Sequence, residues 1–346
     1  MSPIRVGILG LAHGHVGMYC AQWKEMPGVQ LVAAYDHDAS RLSAGCEQFG
    51  LASCASAGAL CARSDVDAVV IGAETSLHAD MVEVAANAKK QIVLQKPLSL
   101  SLEDADRIIR AVEQNDVPFT IAWQMRIEPQ NLKMRELVQS GVLGKILMVR
   151  RRHCLSTHVW PGFENTWHVK PELNRGMWAD DAAHAVDFLL WLCGKPTSVM
   201  AEIDTLVNAK VPDDNGIAIY RYPTGTMAEI VCSFTSLVGE NTTEIVGEKG
   251  VVIQNFGDAP SANFARLNGA VGLKWMLKDD KQWTVSDIPS PSNHAQRISA
   301  LAPVLLEFLR GERPSLCSAR EGRDSLQMIL ASYESAKTGT RVAIDP

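Results

Sequence analysis

The stretch VGILGLAHGHVG, residues 6–17, brings together the features that decide the fold. An apolar run ends at Gly10, and a helical pattern follows directly. A strand that ends in a tight glycine turn and leads into a helix points backbone amides at an anion, as in dinucleotide-binding folds. The stretch therefore predicts the first strand–helix unit of such a fold.

The glycine spacing departs from the usual G-x-G-x-x-G pattern. Counted from Gly10, the second and third glycines fall on Ala12 and His15, while Gly14 and Gly17 stand nearby. Ala12 adds one methyl group where the backbone approaches a phosphate, and His15 is too large for close helix packing, a role that Gly14 can take in a shifted turn. An ordinary glycine-containing loop explains the stretch as well, so both interpretations stay open.

Asp36 follows the second predicted strand, VQLVAAY (29–35), where a carboxylate can accept hydrogen bonds from a ribose diol. A carboxylate there repels a 2′-phosphate and favours NAD over NADP, although Arg41 and His37 are close enough to weaken that preference. The alternative is that Asp36 caps the next helix, but Asp38 is better placed for that role. We therefore expect Asp36 to be available to the ribose.

The first 150 residues alternate short β-rich runs with helical stretches. This alternation predicts parallel βαβ units, and runs that are apolar at nearly every position indicate a sheet covered on both faces. The predicted strands are 4–10, 29–35, 67–72, 91–95 and 118–122, and the helices include 76–89 and 101–115.

The pattern changes after about residue 123, where long β segments joined by tight turns indicate an antiparallel meander. The predicted strands are 145–152, 197–207, 215–222, 226–236, 242–247 and 250–256, and the helices are about 130–140, 180–193, 295–310 and 319–337. We predict an α/β protein. A Rossmann domain with a doubly wound parallel sheet spans 1–122. An α+β domain with a large open antiparallel sheet spans 123–346 and serves substrate binding and oligomerisation, with the closing helix and strand able to pack back near the first domain.

Composition excludes several classes of protein. The chain has 346 residues, 47% of them hydrophobic, and a net charge of −6 with both signs mixed, which disfavours a nucleic-acid partner. Eight scattered cysteines without a C-x-x-C pair are typical of reduced thiols in the cytoplasm. No stretch approaches the ~20 apolar residues of a membrane span, and the first residues do not resemble a signal peptide. We expect a cytoplasmic protein with no membrane partner.

The stretch QIVLQKPLSLS, residues 91–101, places Lys96 at the carboxyl end of a buried strand and directly before Pro97. Ligands of open α/β sheets bind outside the carboxyl ends of the strands. A lone lysine is most often a surface residue, but here apolar residues precede it and proline restricts it to an extended conformation. We expect Lys96 to lie beside a nicotinamide and to take part in proton transfer.

Asp180, His184, Asp187 and Trp191 have the spacing of one helix face. On a face that meets a cleft, Asp180 can hydrogen-bond a substrate hydroxyl and His184 can take its proton. The alternative is a solvated helix face on which His184 has no chemical role.

The irregular stretch 153–178 is rich in tryptophan and histidine. Aromatic faces and hydrogen-bonding side chains suit a polyhydroxylated ring, although core or subunit contacts explain each tryptophan equally well. The histidines, taken with Asp180 and His184, lack the short, definite spacing of zinc ligands, so we predict no metal. The candidates for a substrate cleft are Arg152, Trp160, Trp167 and His168.

The lysine segment IVLQKPLSLSLEDADRII resembles the Glu-Lys-Pro region of the Gfo/Idh/MocA family, which includes glucose–fructose oxidoreductase and inositol dehydrogenases. The family's glutamate is Gln95 here, and only Gly176 remains of its triple glycine before the histidine helix. Other segments similar to the family are VDAVVIGAETSLHADMVEVAANAKKQIVLQKPLSL, QMRIEP, VLGKILMVR, GMWADDAAHAVDFLLWLCG and EGRDSLQMILASYESAKTGTRVAI.

The resemblance implies an NAD(P)-dependent oxidoreductase that moves hydride between nicotinamide and a secondary alcohol or ketone of a sugar, inositol or related polyol. NAD is favoured over NADP, and a homodimer or homotetramer is expected through the exposed face of the sheet. The implied catalytic residues are Lys96, His184 and Asp180. The implied cofactor-binding residues are Gly10, Ala12, His13, Gly14, His15, Asp36, Arg41, Ala73, Thr75, His78, Gln95 and Lys96. The implied substrate-binding residues are Lys96, Gln124, Arg152, Trp160, Trp167, His168, Asp180 and His184.

Two other functions stay open. Gln95 removes a charge that would orient the lysine, which motivates an NAD-binding sensor or scaffold without turnover. Some relatives act on glycosides through a cycle of oxidation, elimination and reduction, which motivates an NAD-assisted lyase or glycosidase with no net redox change. A metal-dependent enzyme is a more distant alternative.

Overall fold

The computed structural model describes residues 2–237, 241–255, 269–289, 291 and 293–345, without the side chains of 255 and 294. The chain divides into two compact units. Unit 1 comprises Met1–Gln124, Glu172–Asn174 and Ile298–Leu326. Unit 2 comprises Met125–Pro171, Arg175–Arg297 and Gln327–Pro346.

A six-stranded parallel sheet forms the centre of unit 1, with strand order 3-2-1-4-5-6. The strands are β1 (Ile4–Leu9), β2 (Val29–Tyr35), β3 (Ala52–Ser53), β4 (Ala68–Ile71), β5 (Gln91–Leu94) and β6 (Phe119–Ile121). The chain runs outward from β1 to β3 on one side and from β4 to β6 on the other. This order confirms the predicted Rossmann sheet, whose ligand crevice lies at the carboxyl ends where the direction reverses.

Helices connect these strands, and side chains cap them at their first residues. The helices are α1 (Gly14–Glu25), α2 (Ala39–Phe49), α3 (Ala57–Cys61), α4 (His78–Asn87) and α5 (Leu102–Asn115). The Asp38 carboxylate accepts hydrogen bonds from the amides of Ser40 and Arg41, as expected for the cap of α2. The Ser101 hydroxyl accepts from the amide of Asp104 at the start of α5.

Unit 2 is built on a nine-stranded sheet, with strand order 14-13-12-11-7-10-9-8-15. The remaining elements of the chain are α6 (Pro129–Gln139), β7 (Ile146–Cys154), α7 (Pro171–Asn174), α8 (Ala183–Cys193), β8 (Ser198–Asp204), β9 (Asn215–Arg221), β10 (Met227–Ser233), β11 (Asn241–Gly247), β12 (Gly250–Asn255), β13 (Leu273–Leu277), β14 (Thr284–Val285), α9 (His294–Ser299), α10 (Leu301–Leu309), α11 (Ala319–Thr338) and β15 (Val342–Ala343). The predicted strand 250–256 is present up to Asn255, and residue 256 lies outside the described residues.

The sheet of unit 2 is antiparallel, as expected, at every strand pair among the described residues except one, which makes it a mixed sheet. Strand β7 lies between β10 and β11, parallel to β10 and antiparallel to β11. The turn residues of the sequence specify the hairpins β9–β10 and β11–β12, but they do not specify which other strand pairs with each hairpin. The predicted helix 295–310 is also divided, because α9 ends at Ser299 and α10 begins at Leu301.

The two faces of this sheet differ in character. On the inner face, the Arg151 guanidinium lies 4.5 Å from the centre of the Phe188 ring of α8. On the outer face, neighbouring strands present exposed apolar side chains beside the Arg150 guanidinium, which contacts Glu229 and Glu244. The exposed apolar residues of this face include Met200, Ile217, Ile219 and Met227.

Candidate active site

The glycine turn of unit 1 requires Gly10. Its φ is +86°, and a Cβ atom there would lie 2.4 Å from the backbone nitrogen of Ala73. Gly72, at the end of β4, is equally restricted, because a Cβ would lie 2.2 Å from a methyl carbon of Val16 in α1. The two glycines let α1 pack directly on the strand ends, which leaves the first amides of the helix facing the crevice.

This packing corrects the role expected of Gly14. Gly14 is the first residue of α1, and a Cβ atom added there meets nothing within 4 Å. The close helix packing comes instead from Gly72, which was not among the predicted site residues. The signal for it was present in the strand sequence AVVIGA, where glycine follows four buried apolar residues.

Histidine caps the same helix. The His13 ring nitrogen Nδ1 accepts a hydrogen bond from the amide of His15 at 3.3 Å, and the two rings meet edge to face with centroids 4.3 Å apart. Ala12 lies directly before this cap. His13, which stands between the residues that replace the usual second and third glycines, thus caps the helix that starts at the carboxyl end of β1.

Asp36 lies at the centre of a charged cluster. Its carboxylate accepts hydrogen bonds from the amides of Leu11 and Asp38 and from the Arg41 guanidinium, and its side chain is fully buried. The same Arg41 nitrogen, Nη2, lies 2.8 Å from Glu74 Oε1. Asp36 is therefore not the exposed ribose acceptor that we expected. It holds Arg41, and Glu74 is a second acid that the sequence analysis missed.

A pocket of about 460 Å³ opens beside this cluster in unit 1. Its lining is mainly apolar, with His37 at the cluster end. A flat aromatic base suits such a lining. The lining residues are Tyr35, His37, Ala57, Leu77, Asp80, Met81, Val84 and Leu173.

His78 is a structural brace between two loops. Its Nδ1 lies 3.0 Å from the carbonyl oxygen of Pro97, and its Nε2 lies 3.3 Å from that of Ala73. Burial lowers the pKa of His78 to about 4, so the ring is neutral near pH 7. The Thr75 hydroxyl, on the same loop as Ala73, donates to Asn174 Oδ1 at 2.7 Å. His78 and Thr75 therefore shape the crevice wall, and their polar atoms are used within the protein.

Lys96 lies directly after β5, buried, and joined to Pro97 by a cis peptide bond. The carboxyl ends of β1, β4 and β5 lie along one edge of the sheet, so the loop of Lys96 belongs to the same edge as the Gly10 turn. Gln95 is fully buried, and its amide nitrogen donates to the Tyr19 hydroxyl in α1 at 2.9 Å. Gln95 thus ties β5 to α1. Gln124, the last residue of unit 1's first segment, is also buried.

In unit 2, a single π-helical turn, Trp178–Ala182, precedes α8. π-Helical turns are rare and frequent at functional sites. Asp180 lies within this turn, and its Oδ2 is 2.8 Å from His168 Nδ1. Asp180 thus contacts a histidine that precedes the helix, a pairing that the sequence analysis did not predict.

His184 is buried in the first turn of α8. Its Nε2 lies 3.5 Å from Asp181 Oδ1, and its ring centroid is 5.6 Å from that of His153. Asp181 and His153 were not predicted as site residues. Side chains alternate along a strand, so His153 on β7 shares the inner face with Arg151, whereas Arg152 points to the outer face. Arg152 therefore does not accompany His184, which corrects its place in the predicted cleft.

The expected polar face of α8 is divided among different partners. Asp187 is fully buried and accepts two hydrogen bonds from Arg126, at 2.9 Å from Nε and 2.8 Å from Nη2. The Trp191 ring lies 4.4 Å beneath the Arg135 guanidinium. Both residues are therefore used in holding the helix.

The predicted aromatic residues form a cluster in the segment before the π-helical turn. The rings of Trp167 and His168 stack with centroids 4.0 Å apart. The Phe163 ring also stacks on that of His168, with centroids 6.1 Å apart, and it meets Trp160 edge to face at 5.8 Å. The cluster fixes the ring plane of the histidine that contacts Asp180.

The start of the π-helical turn is anchored by the last helix. The Tyr333 hydroxyl of α11 accepts a hydrogen bond from the amide of Ala179 at 3.1 Å and donates to Asp213 Oδ2 at 2.7 Å. Burial raises the pKa of Asp213. A Cβ on Gly176 would lie 2.1 Å from the same Asp213 oxygen, so glycine is required where the turn begins.

No group of three or more metal-ligating side chains is arranged to hold a metal ion among the described residues. In the same part of the chain, no helix combines the length and apolar character needed to cross a membrane.

Two family profiles match the chain. The first, described as an oxidoreductase family with an NAD-binding Rossmann fold, matches residues 4–122. The second, the GFO/IDH/MocA C-terminal domain, matches residues 131–253, so the two together cover well over half of the chain. The chain belongs to the Gfo/Idh/MocA family of oxidoreductases. The family likeness seen in the lysine and histidine segments is thereby confirmed.

Individual relatives are distant. YrbE of Bacillus subtilis (strain 168), an uncharacterized oxidoreductase, is 29% identical over 54% of this chain and 54% of its own. Myo-inositol 2-dehydrogenase of Thermotoga maritima is 26% identical over 71% of this chain and 74% of its own. A structure of levoglucosan dehydrogenase with NADH and levoglucosan superimposes with a TM-score of 0.81 at 19% identity, covering 100% of both chains. At that identity the superposition shows the shared fold.

Proposed function

We propose that this protein is an NAD-dependent dehydrogenase that oxidises a secondary alcohol of a sugar, inositol or related polyol, or reduces the corresponding ketone. The observation that carries the proposal is the buried Lys96 at the carboxyl end of β5, on the same sheet edge as the Gly10 turn. The named activities of two family relatives, an inositol and a levoglucosan dehydrogenase, support the substrate class.

The residues of unit 1 fit a nicotinamide dinucleotide. The first amides of α1, brought close by Gly10 and Gly72, suit the pyrophosphate. The pocket at His37 suits the adenine. The cluster of Asp36, Glu74 and Arg41 carries two negative charges and one positive charge in its ionised form, which disfavours a 2′-phosphate and favours NAD.

Bound NAD supplies the hydride acceptor, and the protein positions the alcohol and manages its proton. In this proposal, His184 accepts the hydroxyl proton and Lys96 provides positive charge that stabilises the developing alkoxide. Asp180 anchors a substrate hydroxyl, and the contact of its carboxylate with His168 holds it in position. The aromatic cluster offers flat faces to the ring of a polyol.

A second copy of this chain covers the outer face of the unit 2 sheet in this proposal. Exposed apolar side chains on adjacent strands are the type of surface that oligomers bury. The Arg150 contacts with Glu229 and Glu244 place both charge signs on the same face. A twofold-symmetric pairing can therefore match opposite charges across the interface.

Substitution of the two proposed chemical groups tests this function. We expect Lys96→Ala and His184→Ala each to lower turnover of an accepted polyol by about 10²–10⁴-fold, the usual effect of removing an acid–base group. Lys24→Ala and His158→Ala, which remove exposed residues of the same types, are the controls. Near-control turnover in both site variants would refute the assignment, and NADH affinity measured in parallel separates lost binding from lost chemistry.

A further inference from the structure

Glu74 is the residue of the charged cluster whose own contribution the proposed function leaves unassigned. It lies between β4 and the short 3₁₀ turn that precedes α4, and it is 3% exposed. Its Oε1 contacts Arg41 Nη2 at 2.8 Å and lies 3.7 Å from His37 Nε2. Its Oε2 is buried and has no hydrogen-bond partner among the described residues.

A buried carboxylate oxygen without a partner costs free energy. Asp36 already supplies one charge-balancing contact to Arg41, at 2.9 Å from Nη2. The guanidinium therefore needs no second acid for neutrality. Glu74 thus adds a buried negative charge beyond the one that balances Arg41, and its second carboxylate oxygen has no partner among the described residues.

The consequence concerns what Arg41 can bind. An arginine at this position, near the end of β2, is a potential receptor for the 2′-phosphate of NADP. Here Nη2 is shared by two carboxylates, and Nε also faces the Asp36 oxygens at 3.2 and 3.3 Å. A phosphate that bound Nη2 or Nε would have to displace these contacts, and at any nitrogen of Arg41 it would stand beside two negative charges.

We infer that Glu74 is the residue that sets the preference for NAD over NADP, by engaging Arg41 and adding the second negative charge. The inference rests on the proposed function, because it assumes that the dinucleotide binds at the Gly10 turn. With Glu74 neutral, Arg41 keeps its contacts with Asp36 and one N–H of Nη2 becomes available to the phosphate.

Nucleotide titration of the wild type and five variants tests the inference. The dissociation constants of NADH and NADPH are measured by fluorescence for the wild type, Glu74→Gln, Glu74→Asp and Glu83→Gln. Glu83 is the matched control, because it also pairs with an arginine of unit 1, Arg107, at 2.8 Å on the surface, so its change removes the same charge elsewhere. Glu74→Ala provides a second neutral variant, and thermal melts verify that each protein is folded.

We expect Glu74→Gln and Glu74→Ala to raise NADPH affinity relative to NADH by about tenfold or more, the worth of one charged hydrogen bond. Glu74→Asp and Glu83→Gln should leave the ratio within about twofold of the wild type. Adding Arg41→Ala to Glu74→Gln should remove the gain. An unchanged ratio in both neutral variants would overturn the inference while leaving NAD-dependent catalysis intact. A wild type that binds neither nucleotide would overturn both proposals.

Discussion

His168 Nδ1 lies 2.8 Å from Asp180 Oδ2, so the aspartate of the π-helical turn pairs with a histidine outside its own helix. A carboxylate only accepts hydrogen bonds, so Nδ1 is the protonated nitrogen of that ring. Asp180 therefore fixes the tautomer and orientation of His168, while His184 faces Asp181 at 3.5 Å.

This pairing predicts which substitutions are coupled. Asp180→Asn should lower kcat/KM by about 10²-fold, and adding His168→Ala should cost little more, because residues of one hydrogen-bonded pair are non-additive. Adding His184→Ala to Asp180→Asn should instead lower kcat/KM by the product of the two single effects. A double-mutant cycle on kcat/KM measures both couplings. Strong coupling of Asp180 to His184 with none to His168 would contradict the geometry.

Tyr333 should act as a positioning residue. Tyr333→Phe removes the hydroxyl that accepts from Ala179 and donates to Asp213, so the turn that carries Asp180 is less well held. We expect kcat to fall about tenfold with NADH affinity unchanged, since small displacements of reacting groups are costly. Tyr222→Phe is the control, because its buried hydroxyl has no hydrogen-bond partner among the described residues. Equal kcat values for the two variants would show that Tyr333 does not position the turn.

The stability of the protein should fall in mild acid because of His78. Above pH ~6.5 the ring is neutral in both the folded and unfolded states and has no effect. Between pH ~6.5 and ~4 the unfolded state binds a proton that the folded state refuses, so the free energy of unfolding decreases as pH falls. The full loss is about 3 kcal/mol. Denaturant titrations at pH 7 and pH 4.5 should show a smaller decrease in the free energy of unfolding for His78→Asn than for the wild type. An identical decrease in the two proteins would show that His78 is not its cause.

A charge introduced among the exposed apolar side chains of the outer face of the unit 2 sheet should prevent assembly. Ile219 is 42% exposed on β9, and Ile219→Asp places a carboxylate in the middle of the apolar surface. We expect the variant to be monomeric in light scattering while the wild type is a dimer or tetramer. Val142→Asp, at a similarly exposed apolar residue outside the sheet, should behave as the wild type. A wild type that is itself monomeric would contradict the proposed interface.

Local signals predicted much of unit 1. Gly10, the Asp38 cap and the position of Lys96 after a buried strand follow from turn geometry, capping and sheet topology, which act within a few residues. The contact between Arg41 and Glu74 did not follow, because it joins the first turn of α2 to the loop after β4, 33 residues apart in sequence. Glu74 carries no periodic or motif signal of its own.

Unit 2 was harder to predict for the same reason. Hairpins are encoded by their turns, but the parallel pairing of β7 with β10 depends on tertiary packing. The contact of Asp180 with His168 did not follow from the sequence, because a 3.6-residue period cannot represent the π-helical turn that carries Asp180. Arg152 was misplaced because three consecutive arginines on β7 hide which one faces inward.

Absorbance at 340 nm during incubation with NAD and a panel of polyols, including myo-inositol and levoglucosan, tests the central claim most directly. The account predicts that NADH accumulates in proportion to an oxidised product on at least one polyol, and that the His184→Ala variant lowers the rate of this signal by about 10²–10⁴-fold. Product formation without NADH would instead indicate a redox-neutral lyase or glycosidase. Tight NADH binding with no product from any polyol would contradict the account and leave a cofactor-binding protein without turnover.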